Sequence, residues 1–385
     1  MILTINGGSS SIKFALYKRG EHLSKIFSGQ INRIGLPAVK FTIDDQVDQP
    51  ACKATDYTSA ITCLTDWLEK NATLTDIKAI GHRVVHGMQH TAPCLLTEER
   101  LKELKQLTSY DPDHLPLEIK LIEAFQQHYP GIRQFACFDT GFHAAMPEVA
   151  KLLPIPRRFA QQGIRRYGFH GLSYQYLIKE LSHIAGKKAA RGRVILAHLG
   201  SGASLCAAFK GKSIDTSMGF TPAGGIPMSS RSGNLDPGVA WIMMKTEKLS
   251  PRQFNHIINH ESGLLGISET SGDMSELLNQ EERDSRSAEA VDLFCYEVKK
   301  WIGAFAAAMG GIDTIVFAGG IGENAPVIRT RICKRLGFLG IGLNEKRNNK
   351  NASRISQDKS RVAVYVIPTN EELIIAELVN KMMKT

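Results

Sequence analysis

The chain has 385 residues, enough for two ordinary domains each with its own core, and 43% hydrophobic with 22% charged residues are globular values that argue against disorder. A formal net charge of +9 suits an anionic partner. The basic residues are scattered or sit beside turns (Lys187, Lys188, Arg191, Arg193) with no interleaved aromatic platform, so a few arginines in a small-anion site are expected and nucleic acid is not. Seven cysteines at irregular spacing form no CxxC pair and no zinc pattern, which predicts reduced thiols in a cytoplasmic protein. The first residues lack the basic and apolar regions of a signal peptide, and the small-and-apolar segment 301–312 is too short to span a bilayer, so no membrane partner is expected.

Residues 2–23, ILTINGGSSSIKFALYKRGEHL, read as strand, small-residue turn, strand and hairpin turn. A short strand over 41–43 and a polar loop over 44–49 follow. Apolar residues at helical spacing (Ala60, Ile61, Leu64, Trp67, Leu68) predict a helix over 58–68 capped by Thr58 or Asp56. Residues 77–85 read as a strand entering GHRVVHG, 97–107 as a helix capped by Thr97, 117–127 as a second helix, and 135–138 as a strand ending at Asp139. A Pro-rich, basic stretch (Pro147, Pro154, Pro156, Arg157, Arg158) reads as a crossover between domains. Residues 194–215, VILAHLGSGASLCAAFKGKSID, then repeat the opening plan. A glycine-rich loop over 219–238 leads to helices over 236–245, 251–260 and 287–309, a strand over 314–318 that meets GGIGEN, a strand over 362–367 and a last helix over 371–382. Strands alternating with helices predict α/β layers, and the hairpins make the sheets mixed. The repeated Gly/Ser turn lets backbone N–H groups approach an anion, so two such turns facing each other across a cleft predict a nucleotide-dependent phosphotransferase.

Several short motifs each allow a chemical and a structural reading. In NGGSSSIK, Asn6 and the loop N–H groups could hold phosphate oxygens or a metal-bound water with Lys13 as a point charge; a tight hairpin is the alternative, and no Walker pattern is present. FAGGIGENA holds a G-x-G-x-x-A match, but a dinucleotide site should open a βαβ unit, and the stretch that follows is basic and turn-rich (Arg329, Arg331, Lys334, Arg335). An adenosine-facing loop at a helix N-terminus is preferred. Arg83 in GHRVVHG is a buried ion-pair partner or an anion clamp. His170 in RRYGFHG is a packed histidine or a site residue, and Arg231 in RSGNLDPG is a solvated loop arginine or a site residue. Asp139 in FDTGFH is a strand-end site carboxylate or a turn former. Glu371 and Glu372 in PTNEEL complement a helix macrodipole or serve a site.

In order, NGGSSSIKF, GHRVVHG, FDTGFH, GIRRYGFHGLSY, HLGSGAS, DTSMGFTP, RSGNLDP, SGLLGIS, GGIGEN and PTNEEL resemble the acetate kinase family over nearly the whole chain. The resemblance implies two duplicated ribonuclease-H-like α/β domains of the acetate and sugar kinase, Hsp70 and actin superfamily, with mixed sheets flanked by helices and a cleft between them. The expected domains are 1–145 with 370–385, and a nucleotide-binding 146–369. It further implies a homodimer that transfers phosphoryl reversibly between ATP and a short-chain carboxylate with Mg²⁺, or Mn²⁺ in its place. Acetate is the first expectation, with propionate, butyrate or a more polar acid as the alternatives. A non-catalytic nucleotide switch like actin or Hsp70 is the alternative from another class, and retention of Arg83, Asp139, His170 and Arg231 together argues against it.

Position by position, the resemblance implies Asn6 and Glu371 as metal ligands and Lys13 near the phosphates. Arg83 would bind the carboxylate or acyl phosphate, Asp139 would be the essential carboxylate, and His170 and Arg231 would stabilise the phosphoryl group in flight. His198, Leu199, Gly200, Ser201 and Gly202 would line the phosphates. Asp273, Met274 and Ser275, with Gly320, Ile321, Gly322, Glu323 and Asn324, would meet the nucleotide. Val85, Phe169 and Pro222 would wall the methyl pocket, with His114 also at the substrate. The chain departs from the family at Asp113-His114-Leu115-Pro116, where L-H-N-P is usual, at Ser201 in place of Asn, at Ser275 in place of Arg, across 223–230, and at Asn234 in place of Asp. The phosphoryl-transfer residues remain, while the acyl pocket and nucleotide contacts have drifted.

Overall fold

The computed structural model describes residues 1–384 apart from 9, 37, 45, 48 and 72–75. Ser9 of the opening Gly/Ser loop, and Asp45 and Asp48 of the polar loop 44–49, lie outside the described residues. The chain forms two compact units, Met1–Gly141 with Asn370–Thr385, and Phe142–Thr369.

In the first unit, β1 (Ile2–Gly7) is buried at every residue and pairs antiparallel with β2 (Ser11–Lys18), which sets Asn6 opposite Lys13. β3 (Ser24–Asn32) and β4 (Lys40–Ile43) extend the meander on that side. On the other side β5 (Ala79–Val84) runs parallel to β1. A two-residue edge strand, β6 (Cys94–Leu95), pairs antiparallel with β7 (Arg133–Phe138), and β7 runs parallel to β5. The sheet order is β4-β3-β2-β1-β5-β7-β6. The core on one face gathers Phe14, Phe41 and the helix Tyr57–Asn71, whose buried Ala60, Ile61, Leu64 and Leu68 follow the predicted helical spacing. Asp56 caps that helix, its Oδ1 accepting the Ser59 N–H at 2.8 Å.

The helix Glu371–Met382 returns to this unit and packs against β1 and β5. Gly81 makes this possible, because a Cβ there would lie 2.5 Å from Ile375 Cγ2. Ile374, Ile375 and Val379 are fully buried, each stabilising the docked helix by roughly 1.5–3 kcal/mol relative to exposure. That docking sets the helix start, and hence Glu371, beside the end of β1.

The second unit repeats the plan. β8 (Arg193–Leu199), β9 (Ala203–Phe209) and β10 (Lys212–Thr216) form an antiparallel meander; β11 (Thr314–Ala318) lies parallel to β8, and β12 (Ala363–Val366) parallel to β11. The order β10-β9-β8-β11-β12 matches the inner five strands of the first sheet, β3-β2-β1-β5-β7. Both sheets are mixed and flanked by helices, as the repeated hairpin predicts.

Several elements differ from the sequence expectation: β3, β6 and the helix Met274–Gln280 had no predicted counterpart, and two more differ near the motifs. The basic stretch after GGIGEN is a helix, Pro326–Cys333, rather than turns; Pro326 opens it, and its face buries Ile328, Arg329 and Ile332. Helix Gly171–Arg191 had no predicted counterpart, because His170 starts it in the left-handed region (φ 58°) without a side-chain cap and Gly186 breaks its period. No described helix is long and apolar enough to cross a membrane.

Candidate functional site

In the first unit the carboxyl ends of the parallel neighbours β1, β5 and β7 lie side by side, the edge at which open α/β sheets bind ligands. β1 delivers Asn6 and Gly7, β5 runs into Arg83, and Asp139 follows β7, its N–H donating to the Val84 carbonyl at 3.0 Å. Arg83 donates from Nη2 to Asp139 Oδ2 at 2.6 Å and from Nε to the same oxygen at 3.2 Å, while its Nη1 donates to the Gly7 carbonyl at 3.2 Å. Asp139 is fully buried and the Arg83 side chain is 14% exposed. Burial disfavours the charged guanidinium, but Asp139 and then Glu371 more than offset this and raise its pKa above the usual value. Arg83 is therefore a charged group with a fixed orientation.

Asn6 Nδ2 donates to Glu371 Oε2 at 2.9 Å and to Glu372 Oε1 at 3.0 Å. Both acids occupy the first turn of their helix, whose positive end favours them, while Asn370 Oδ1 caps it by accepting the Leu373 N–H. Lys13 is exposed on β2. Beyond Arg83 the buried Val85 N–H donates to both oxygens of Glu118, at 3.0 and 3.2 Å, and His114 Nδ1 donates to Asp111 Oδ1 at 2.9 Å.

In the second unit the β8–β9 turn gathers the other cluster. A Cβ on Gly202 would stand 3.4 Å from His170 Nε2 and 3.7 Å from Arg231 Nη1, so both side chains lie close to the turn and leave no spare room at this position. His170 Nδ1 meets Ser204 Oγ at 2.8 Å, and Ser204 in turn bonds Tyr174. The imidazole of His170 stacks on that of His198 with centroids 4.2 Å apart, and His198 Nδ1 meets Ser173 Oγ at 2.8 Å. Arg231 Nη1 donates to the Pro222 carbonyl at 3.4 Å. GGIGEN is a short helix, Gly319–Asn324, rather than the expected loop. Gly319 follows β11 at φ 77°, where a Cβ would lie 2.6 Å from the Leu199 carbonyl, so the helix start can lie against the β8 end only as glycine. Donors from a small-residue turn, two histidines and an arginine are groups of the kind that can bind an anion.

The acetokinase family pattern matches residues 1–377. The chain belongs to the acetokinase family. An acetate kinase of Rhodopseudomonas palustris is 42% identical to it over 98% of this chain and 96% of that protein. A propionate kinase of Citrobacter rodentium is 39% identical over 97% and 95%. Among solved structures, a propionate kinase from Francisella tularensis superposes with a TM-score of 0.89 at 35% identity, covering 98% of each chain. An acetate kinase from Porphyromonas gingivalis gives 0.86 at 33%, covering 99% of each.

Within this acetokinase-family fold the motif residues separate by what they touch. Arg83, Asp139, Asn6 and Glu371 form one connected set, and His170, His198, Gly202 and Arg231 another. Phe169 and Pro222 are buried next to His170 and Arg231 respectively. Other candidates have internal partners. Asp273 Oδ1 caps the helix Met274–Gln280 by accepting the Ser275 and Glu276 N–H groups, and Met274 is buried. Glu323 Oε1 accepts from the N–H groups of Gly319 and Thr369, and Asn324 Nδ2 donates to the Gly320 carbonyl.

Among the described residues no three His, Cys, Asp or Glu side chains converge to hold a metal. Mg²⁺ needs no such cage, since it keeps several waters and is held by one or two carboxylates and substrate phosphates. Glu371, with Glu372 beside it and the Asn6 amide oriented by both, is a donor set of that kind.

Several residues that hold the site had no counterpart among the residues the resemblance assigned to it, Ser204 on His170, Ser173 on His198 and Glu372 on Asn6 among them. Asp111 and Glu118 hold His114 and Val85 in the first unit. In the second, the fully buried Arg329 donates to the Gly322 and Glu323 carbonyls at 2.8 and 3.0 Å and to Asn348, locking the GGIGEN helix; burial pulls its pKa down to about 10. Glu118 had a signal: it shares a helical face with Leu115, Ile119, Ile122 and Phe125, where an acid is out of place.

Proposed function

We propose that the protein catalyses reversible phosphoryl transfer between ATP and a short-chain carboxylate, acetate first. The observation that carries the reading is Arg83, charged and held by the buried Asp139 at the strand ends, as a carboxylate anchor needs. The substrate carboxylate is already a nucleophile at neutral pH. One of its oxygens attacks Pγ while the bond from Pγ to the β–γ bridging oxygen breaks, and ADP leaves. No proton moves, so Asp139 acts by orienting Arg83. A loose, roughly planar phosphoryl needs equatorial positive charge and hydrogen-bond donors, the part assigned to Arg231 and His170. Ser204 fixes the His170 ring, and the Gly200–Gly202 backbone with His198 receives the nucleotide phosphates. Mg²⁺, held through Glu371 and Asn6, would neutralise charge on the β- and γ-phosphates. Val85, His114, Phe169 and Pro222 would each contact the acyl group.

With ATP, Mg²⁺ and hydroxylamine, the purified protein is expected to form hydroxamate, with acetate giving the highest kcat/KM of acetate, propionate and butyrate. No hydroxamate from any of the three would overturn the reading. Propionate is the second reading, favoured by the propionate kinase among the relatives, and a higher kcat/KM for propionate would select it.

The working form would be a homodimer. Helices Pro237–Thr246 and Pro251–His260 bury no residue within the chain, and Trp241 (68% exposed), Ile242 and Tyr296 leave an apolar surface on the second unit suited to a second copy. Light scattering is expected to give twice the chain mass, and Trp241→Glu to halve it; a monomeric wild-type protein at micromolar concentration would rule this out. Seven free thiols suit a reducing compartment such as the cytoplasm.

A further inference from the structure

One segment of the first unit, residues 111–118, ties down two of the groups assigned to the acyl pocket, and neither tie is needed for phosphoryl chemistry. At its start Asp111, 3% exposed, accepts from His114 Nδ1 at 2.9 Å. A carboxylate on that nitrogen keeps the proton on Nδ1 and fixes the ring plane, as orienting acids do for histidines that must present one face. At its end Glu118, 2% exposed, accepts the Val85 N–H with both oxygens. Val85 lies just past β5, where the chain has left the ladder and its N–H would otherwise need another partner. Glu118 therefore pins the backbone two residues after Arg83.

A carboxyl group buried at this point is costly to keep. Burial pushes the Glu118 pKa well above the usual carboxyl range; Arg83 opposes that push, and Asp111 adds to it. Its neighbours on the same helical face are all apolar, so packing alone would be served better by leucine. The group also lies close enough to Arg83 to influence it, which places the segment against the carboxylate anchor.

We propose that Asp111 and Glu118 are positioning residues of the acyl pocket, setting His114 through its Nδ1 and Val85 through its N–H, and thereby the size of the acid accepted. The proposal rests on the carboxylate-kinase reading above. Asp111→Ala and Glu118→Met remove the acceptors, whereas Asp111→Asn and Glu118→Gln retain one. In the hydroxamate assay, Asp111→Ala and Glu118→Met are expected to raise the KM for acetate about tenfold with the KM for ATP unchanged, a loss confined to the acyl side. The acetate-to-propionate kcat/KM ratio should fall about fivefold as the pocket loosens, and the Asn and Gln variants should stay near wild type.

Folded Asp111→Ala and Glu118→Met variants with unchanged acetate KM and unchanged ratio would overturn the proposal. So would a parallel rise in both KM values, which marks a general structural loss. Thermal unfolding of each variant separates these cases, and if one variant does not fold, the other decides. A wild-type protein inactive on every acid defeats the carboxylate-kinase reading itself; an active wild type with insensitive variants defeats this proposal alone.

Discussion

Arg231→Ala is expected to lower kcat by roughly 10³–10⁵-fold, the range seen when a charge on a phosphoryl in flight is removed. The Arg231 guanidinium lies near Gly202, as does His170, and the substitution removes its bond to the Pro222 carbonyl. The loop that carries it is held by backbone bonds, Met228 N–H to the Arg231 carbonyl at 3.0 Å and Ser229 N–H to the Ser201 carbonyl at 3.1 Å, which the substitution leaves intact. The loss should therefore fall on kcat, with the unfolding midpoint nearly unchanged and the KM for ATP within a few-fold. Arg231→Lys should recover only part of it, because a point ammonium cannot match the planar fork that fits phosphoryl oxygens. Steady-state rates in the hydroxamate assay read this directly. An alanine variant retaining kcat within about tenfold would remove Arg231 from the transition-state assignment.

Asp139→Asn should do two things at once, and their combination tests what Asp139 is for. The carboxylate is fully buried and its Oδ2 accepts two guanidinium bonds from Arg83. Removing its charge leaves a mostly buried guanidinium with Glu371 as its next strongest attraction. Breaking a buried pair by deleting one partner costs about 3–5 kcal/mol, so the urea midpoint should drop clearly along with activity. In an Arg83→Met background the same change should cost much less, since no stranded charge remains. If Asp139→Asn abolished activity while stability stayed within about 1 kcal/mol of wild type, Asp139 would be acting on the substrate and not through Arg83.

The local elements were the legible part. Alternation and small-residue turns locate the β1–β2 and β8–β9 hairpins, and the helices Pro251–His260 and Glu371–Met382 have the predicted bounds. Thr97 and Asp236 cap helices as their types suggest. Less legible were elements without a local signal. Helix Gly171–Arg191 begins at a left-handed histidine, and in the basic stretch Pro326–Cys333 the Arg329 guanidinium finds five carbonyl and amide oxygens. No spacing rule foretells that many partners for a guanidinium.

The sequence by itself determined the duplicated hairpin plan, the mixed α/β class and the order of the motifs, since these rest on periodicity and turn chemistry within a few residues. Only the tertiary structure decided which motif residues touch. Asn6 meets Glu371 across 365 positions, Arg83 meets Asp139 across 56, and His170 stacks on His198. It also decided that Asp273 accepts from the Ser275 and Glu276 N–H groups and Glu323 from those of Gly319 and Thr369, and that Asp111 and Glu118 hold His114 and Val85. The physical reason is that strand register and helix docking bring distant carboxylates and donors within 3 Å, and whether a polar group is satisfied depends on those long-range partners.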